Sequence, residues 1–227
     1  MPHAPVILKP HEPVAERVLL PGDPGRALRL ATRLIDGPRM LNHHRGLWGY
    51  SGLAADGEPL TIQSSGLGGP SAAAVIAELV ELGARRLVRV GTAAGLGSTR
   101  LGSLVVVHAS LAADGTSRAL GAGECIAADG ELSDALVEAS GALRGLVASA
   151  DIHDPVLATA WTEAGAVACD LSTAAVLAAA QVCGAAAAAV LAITRAGGER
   201  LADDAVELLE AEAGAAALVA LAARTAH

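Results

Sequence analysis

The stretch RVLLPGDPGR, residues 17–26, is an apolar run that stops at a Pro-Gly-Asp-Pro turn, and Ala, Leu and Arg then recur at helical spacing out to Leu34. It reads as strand, tight loop, helix. The same device recurs downstream, where the apolar run Arg86 to Val90 enters a second small-residue loop, Gly91-Thr92-Ala93-Ala94-Gly95. Between the two lie extended runs at 46–55 and 58–65, joined at Asp56-Gly57, a dipeptide suited to a hairpin. The glycine-rich turn Ser65-Gly66-Leu67-Gly68-Gly69-Pro70 then opens a helix through Leu82. Further strands are expected at 103–111, 143–149 and 186–193, and helices at 131–140, 171–183 and 203–224. Strands alternating with helices define an α/β fold: one domain over 1–227, with a mixed, mostly parallel central sheet flanked by helices on both faces. Ligands of such sheets bind beyond the carboxyl ends of the strands, where both glycine-rich loops fall.

The 227 residues contain nothing that reads as a linker, which favours one domain over two. An apolar fraction of 52% against 18% charged residues is globular composition. With two Trp, one Tyr and no Phe, the core must come from Ala, Val and Leu on closely packed elements. That scarcity of rings, together with a formal net charge of −8, speaks against nucleic acid as a partner. Every basic residue except Lys9 is Arg, a bias that fits either bidentate anion binding or genomic base composition. Cys125, Cys169 and Cys183 are odd in number and form no CxxC pair, which points to a reducing compartment and against a zinc or disulfide framework. The start, MPHAPVILKPHEP, lacks the basic patch and apolar run of a signal peptide, so a cytoplasmic location is expected. Residues 174–193 are apolar enough to invite a membrane reading. They are mostly Ala, however, and Gly184 divides them, so a buried helix followed by a strand is expected instead.

Two places in this framework invite chemistry. Gly22 leaves the backbone of the first loop open to an anion, and Arg26, one helical turn on, can fold back over that loop; alternatively the turn merely caps the helix. In the second loop Arg89 stands at the expected strand end and Thr92 three residues later, so a guanidinium and a hydroxyl can converge on one oxyanion. An Arg within an apolar strand also requires a buried anionic partner of some kind. His43 and His44 adjoin Arg45, but adjacent side chains rarely face one ion and no third ligand has suitable spacing, so no metal is expected.

The segments PGDPGR, HHRG, SSGLGGPS and RVGTAAG, in this order and at these distances, resemble those of the nucleoside phosphorylases of the hexameric type, which include uridine phosphorylase and bacterial purine nucleoside phosphorylase. The resemblance runs from about His3 to the C-terminal helix. SSGLGGPS and VRVGTAAG are similar to the uridine branch, whereas SADIHDP at 149–155 and its distance to Arg195 are closer to the purine branch. By this resemblance Gly22, Arg26, Arg89 and Thr92 bind phosphate, and Arg45 reaches the phosphate of a neighbouring subunit. His3, with His11 as a less well placed rival, matches an N-terminal histidine donated to a neighbour's sugar. The implied assembly is a homohexamer built as a trimer of dimers, or at least a homodimer. The implied substrates are a nucleoside and inorganic phosphate, with no other cofactor, no nucleic acid and no membrane.

The chain also departs from the pattern. Where the family has Glu-Met-Glu, whose second Glu holds the ribose hydroxyls, this chain has Asp170-Leu171-Ser172. Arg195 occupies the position of the purine branch's general acid, as in the uridine branch; it cannot donate a proton at neutral pH but can stabilise an anionic pyrimidine. The Gln and Arg that read uracil are missing from VLATAWTEAGAVAC, residues 156–169, and His153 stands where the family places a Phe against the base. The expectation is therefore a pentosyltransferase favouring uridine-like nucleosides, with Arg89, Arg195 and Asp170 as catalytic residues and His3, His153, Asp170, Leu171, Ser172 and Arg195 around the nucleoside. A nucleosidase of the same fold, a purine nucleoside phosphorylase and a non-catalytic binding protein are the alternatives.

Overall fold

The computed structural model describes residues 5–153 and 155–223. Its elements run β1 (Arg17–Pro21), α1 (Pro24–Leu34), β2 (Ile35–Asn42), a 3-10 turn (His44–Gly46), β3 (Gly49–Ala54), β4 (Pro59–Gln63), α2 (Gly68–Glu81), β5 (Arg86–Gly95), β6 (Leu104–Ala113), α3 (Gly115–Ala119), β7 (Cys125–Ala127), α4 (Gly130–Ser140), β8 (Leu143–Ala150), α5 (Pro155–Glu163), β9 (Ala166–Asp170), α6 (Thr173–Cys183), β10 (Ala186–Ala196), β11 (Glu199–Arg200) and α7 (Asp203–Ala222).

One sheet links all the strands, in the order β11-β10-β6-β8-β9-β5-β1-β4-β3-β2, with β7 added to β6 and a further pairing of β10 with β5. That further pairing closes β5, β10, β6, β8 and β9 into a ring. Five strands enclose little volume, and the buried cluster of Ala93, Val105, Val107, Val147, Ala168, Ala189, Leu191 and Ile193 comes from these strands. A core without Phe is thus a geometric match to the ring rather than a deficiency. Outside it, β1 lies parallel between β5 and β4, and β3 and β2 extend the sheet as antiparallel neighbours. The expected hairpin forms, with Gly57 at φ 79 in its turn and Ser51 and Thr61 hydroxyls 2.8 Å apart across it.

Helices cover both faces. On one, α1, α4 and α7 pack Leu30, Leu136 and Ala217 against Ile62, Val88 and Val190; on the other, α2 and α6 pack Ile76 and Leu177 against Val18 and Leu87. Residues 174–193 are helix α6 and strand β10, separated at Gly184, whose φ of 75 terminates the helix. Among the described residues no helix is long and apolar enough to cross a membrane.

The expectation of a loop at 91–95 is corrected. β5 continues to Gly95 because β10 pairs with it residue by residue, from Ala186 opposite Arg86 as far as Arg195 opposite Ala94. Arg89 is therefore within a strand, not at its end. β2, β7, β9, β11, α3 and α5 were not marked by the periodicity; most are short or depend on an edge supplied by a distant strand.

Candidate active site

At the carboxyl ends of β1, β5, β9 and β10 lies a cleft of about 380 Å³. Nine of the residues singled out from sequence line it: Gly22, Arg26, Arg89, Thr92, His153, Asp170, Leu171, Ser172 and Arg195. Arg45 does not. It is exposed on the 3-10 turn, with a φ of 58 that is uncommon for a residue with a side chain. His3 lies outside the described residues. His11 stacks on His43 with ring centroids 5.6 Å apart, and neither lines the cleft. Among the described residues no cluster of three or more His, Cys, Asp or Glu is arranged to hold a metal ion.

The cleft is built around two buried guanidinium groups. Asp23 sets the first in place: its Oδ1 accepts from the Arg26 amide at 2.7 Å and so caps α1, which starts the helix at the end of β1 and brings Arg26 back toward the sheet. Arg26 Nη2 then meets Glu210 Oε1 of α7 at 2.7 Å and Nη1 donates to the Val90 carbonyl at 3.3 Å. Its Nε is buried without a partner among the described residues. Burial pulls this guanidinium below its usual pKa; Glu210 opposes that shift and the charge of Arg89 adds to it.

Arg89 supplies the second group. Its Nε donates to Thr173 Oγ1 at 3.0 Å and its Nη2 to Asp170 Oδ2 at 2.8 Å, while Nη1 is buried without a partner among the described residues. A Cβ at Gly91 would lie 2.9 Å from Arg89 Cζ, so the glycine is what lets the side chain lie along its own strand. Nη1 ends 3.7 Å from where a Cβ on Gly22 would stand, which places it beside the open backbone of the first loop.

The anionic partner expected for Arg89 is Asp170. Its carboxylate also accepts from Ser149 Oγ at 2.6 Å, Thr173 Oγ1 at 2.7 Å, and the amides of Thr173 and Ser172 at 3.1 and 3.3 Å. These donors occupy the lone pairs of both oxygens, so the carboxylate is committed to Arg89 and to the start of α6. Ser172, buried at that helix start, makes no capping bond with its side chain. Thr92 and Thr194 are half-buried in the wall. Arg195 is exposed at the rim, where the β10 to β5 register shifts between Ile193 and Arg195. Nearby, burial and the charge of Asp170 push the Cys169 thiol up, against a smaller opposing effect of Arg195, so this thiol stays protonated at neutral pH.

Sequence reasoning missed Glu210, Thr173 and Ser149. Glu210 carried a signal, being an acid on the face of α7 that otherwise buries Ala213, Ala217 and Ala220. Thr173 follows Asp170 at the spacing of a local side-chain-to-amide bond, while Ser149 had no local mark.

Two guanidinium groups with N–H groups left over, next to a glycine backbone and a helix N-terminus, are an arrangement able to accept an oxyanion. A model of the phosphorylase superfamily matches residues 16–225, and the chain belongs to that superfamily. It is 37% identical over 145 residues to a uridine phosphorylase of Thermococcus kodakarensis, covering 61% of this chain and 52% of that protein. To a uridine phosphorylase of Escherichia coli it is 35% identical over 148 residues, 62% of this chain and 58% of the relative. To a DeoD-type purine nucleoside phosphorylase of Clostridium perfringens it is 40% identical over 84 residues, 37% of this chain and 35% of the relative. In each case the chain spans less than two thirds of the relative's length.

Proposed function

We propose that the protein is a pentosyltransferase that cleaves a nucleoside with inorganic phosphate, releasing the free base and a pentose 1-phosphate, and that uridine-like pyrimidine nucleosides are preferred. The observation that carries this reading is the pair of nitrogens without a partner among the described residues, Arg26 Nε and Arg89 Nη1, on buried guanidinium groups that repel one another. A phosphate dianion bound there satisfies both and offsets the repulsion. Thr92 and the Gly22 backbone complete the cradle.

In the reaction a phosphate oxygen forms the new bond to the anomeric carbon, the glycosidic C–N bond breaks, and its electron pair leaves with the base. The positive charge on the ribosyl group is stabilised by the phosphate itself, so the protein's task is to hold the two reactants in line. Arg195 lies at the cleft rim, where its charge stabilises a base leaving as an oxygen-centred anion, and solvent then supplies the proton. His153 lines the same end. Asp170 acts by orienting Arg89, and Leu171 and Ser172 face the sugar. Phosphate is the co-substrate and no other cofactor is proposed.

Arg45, exposed and outside its own cleft, is assigned together with His3 to the site of a neighbouring copy, Arg45 at the phosphate and His3 at the sugar; a homohexamer, or at least a homodimer, is the proposed active form. Three cysteines without disulfide partners among the described residues are consistent with the cytoplasm as its location. The test is a panel of purine and pyrimidine nucleosides, incubated with and without phosphate, with base release followed by chromatography. Phosphate-dependent release is expected. Equal release without phosphate favours a nucleosidase, and phosphate binding without any release favours a non-catalytic binding protein.

A further inference from the structure

The two guanidinium groups of the cleft are each gripped by a carboxylate, but the two carboxylates come from different parts of the fold. Asp170 lies beside the cleft on β9. Glu210 does not line it, and reaches Arg26 from the middle of the last helix, with only 3% of its surface exposed. Its two oxygens are divided between two residues of α1: Oε1 is 2.7 Å from Arg26 Nη2, and Oε2 is 2.8 Å from Arg29 Nη2. Arg29 has a 37% exposed side chain and also approaches Glu207 at 3.7 Å, so it does not depend on Glu210 alone. For Arg26 the alternatives are poor. Its remaining bond is the long one from Nη1 to the Val90 carbonyl, and nothing else among the described residues holds the group.

We propose that Glu210 is the positioning residue of the phosphate site: it fixes the rotamer of Arg26 so that Nε faces the anion, and thereby makes the C-terminal helix part of the phosphate-binding machinery. This inference rests on the reading of the cleft as a phosphate site. A long Arg side chain loses considerable rotamer freedom when it is ordered, and a buried charged hydrogen bond that exists before phosphate arrives removes that cost from binding. Glu210 also supplies Arg26 with a counter-charge while phosphate is absent, as Asp170 does for Arg89.

The test is direct phosphate titration by calorimetry together with steady-state kinetics, on the full chain and on folded variants checked by circular dichroism. Glu210→Gln keeps the shape but presents an amide group to one of the two guanidinium groups. It should weaken phosphate binding about ten- to hundredfold, the range expected for one charge-assisted hydrogen bond. KM for phosphate should rise in parallel, with KM for the nucleoside nearly unchanged. Glu210→Asp, which keeps the charge but shortens the reach, should give a smaller loss in the same parameter and serves if the Gln variant does not fold. Arg29→Ala removes the other partner of Glu210 and should change phosphate binding by less than about threefold. In an Arg26→Ala background, Glu210→Gln should have no further effect on phosphate, because the residue acts through Arg26. A folded Glu210→Gln or Glu210→Asp protein with unaltered phosphate binding overturns the proposal. So does an effect of equal size from Arg29→Ala, or one that persists without Arg26. Failure of the unmodified chain to bind phosphate sinks the phosphate-site reading instead, which separates the two outcomes.

Discussion

Replacing Arg89 by Ala tests the centre of the cleft. The side chain makes two buried contacts, 2.8 Å to Asp170 and 3.0 Å to Thr173, and its Nη1, without a partner among the described residues, is left to bond the anion. Loss of that last bond should cost about 1.5–3 kcal/mol of phosphate binding, or roughly ten- to 150-fold in Kd. The effect on folding is separate. Breaking a buried ion pair by removing one partner costs about 3–5 kcal/mol when the other is left bare. Here Asp170 keeps Ser149 Oγ, Thr173 Oγ1 and two backbone amides, so the loss should lie below that range, at about 1–3 kcal/mol, and the chain should still fold. The assay is calorimetric titration with phosphate alongside thermal unfolding. A folded Arg89→Ala variant with an unchanged Kd for phosphate would falsify the assignment of Arg89 Nη1 to the anion.

Four further outcomes are expected. Arg195→Gln should lower kcat for uridine with little change in Tm, since the side chain is exposed and makes no ion pair among the described residues; a large Tm shift with unaltered kcat would argue for a structural role. Ser172→Glu should raise the ratio of kcat/KM for uridine over 2′-deoxyuridine from within roughly tenfold of one, because a carboxylate left without the 2′-hydroxyl is penalised; a strong ribose preference in the unmodified protein would contradict this. Mixing inactive Arg45→Ala and Arg89→Ala proteins under conditions of subunit exchange should restore part of the activity, and strictly additive residual rates would remove the shared-site assignment. Asp56, held by Arg17 at 2.6 Å, has its carboxyl pKa lowered to about 2. Its stabilising contribution is complete above the unfolded value near 3.9 and fades as pH falls through about 2. The pair is partly exposed, so Asp56→Asn should cost below about 1 kcal/mol at pH 7 and almost nothing near pH 2; a Tm difference that grows on acidification would contradict the sign.

Much of this molecule could be read along the chain because its deciding signals are local. Pro21 to Pro24 end a strand and Asp23 caps the helix that follows, within one turn of backbone. Asp56-Gly57 closes a hairpin between its own neighbours, and Gly184 terminates α6 through its own φ. Gly22, Arg26, Arg89 and Thr92 were legible as a set because each sits in or beside a short motif of small residues.

What could not be read depends on groups that meet only across the fold. The continuation of β5 through Gly91 to Gly95 exists because β10, about a hundred residues later, supplies the partner ladder, and no propensity of Gly, Thr or Ala encodes that. Asp170, expected from the resemblance at the sugar, lines the cleft with its lone pairs taken by Ser149, Ser172, Thr173 and Arg89, groups that the sequence did not bring together. Glu210 lies 184 residues from Arg26 in sequence and 2.7 Å away in space. By itself the sequence determined the longer strands and helices and the residue types gathered at the two glycine-rich turns, since periodicity, caps and turn residues act over a few residues. Only the tertiary structure decided which N–H groups remain for a ligand. That choice depends on which carboxylates packing brings up behind each guanidinium, and packing is a property of the closed sheet and its covering helices rather than of any segment.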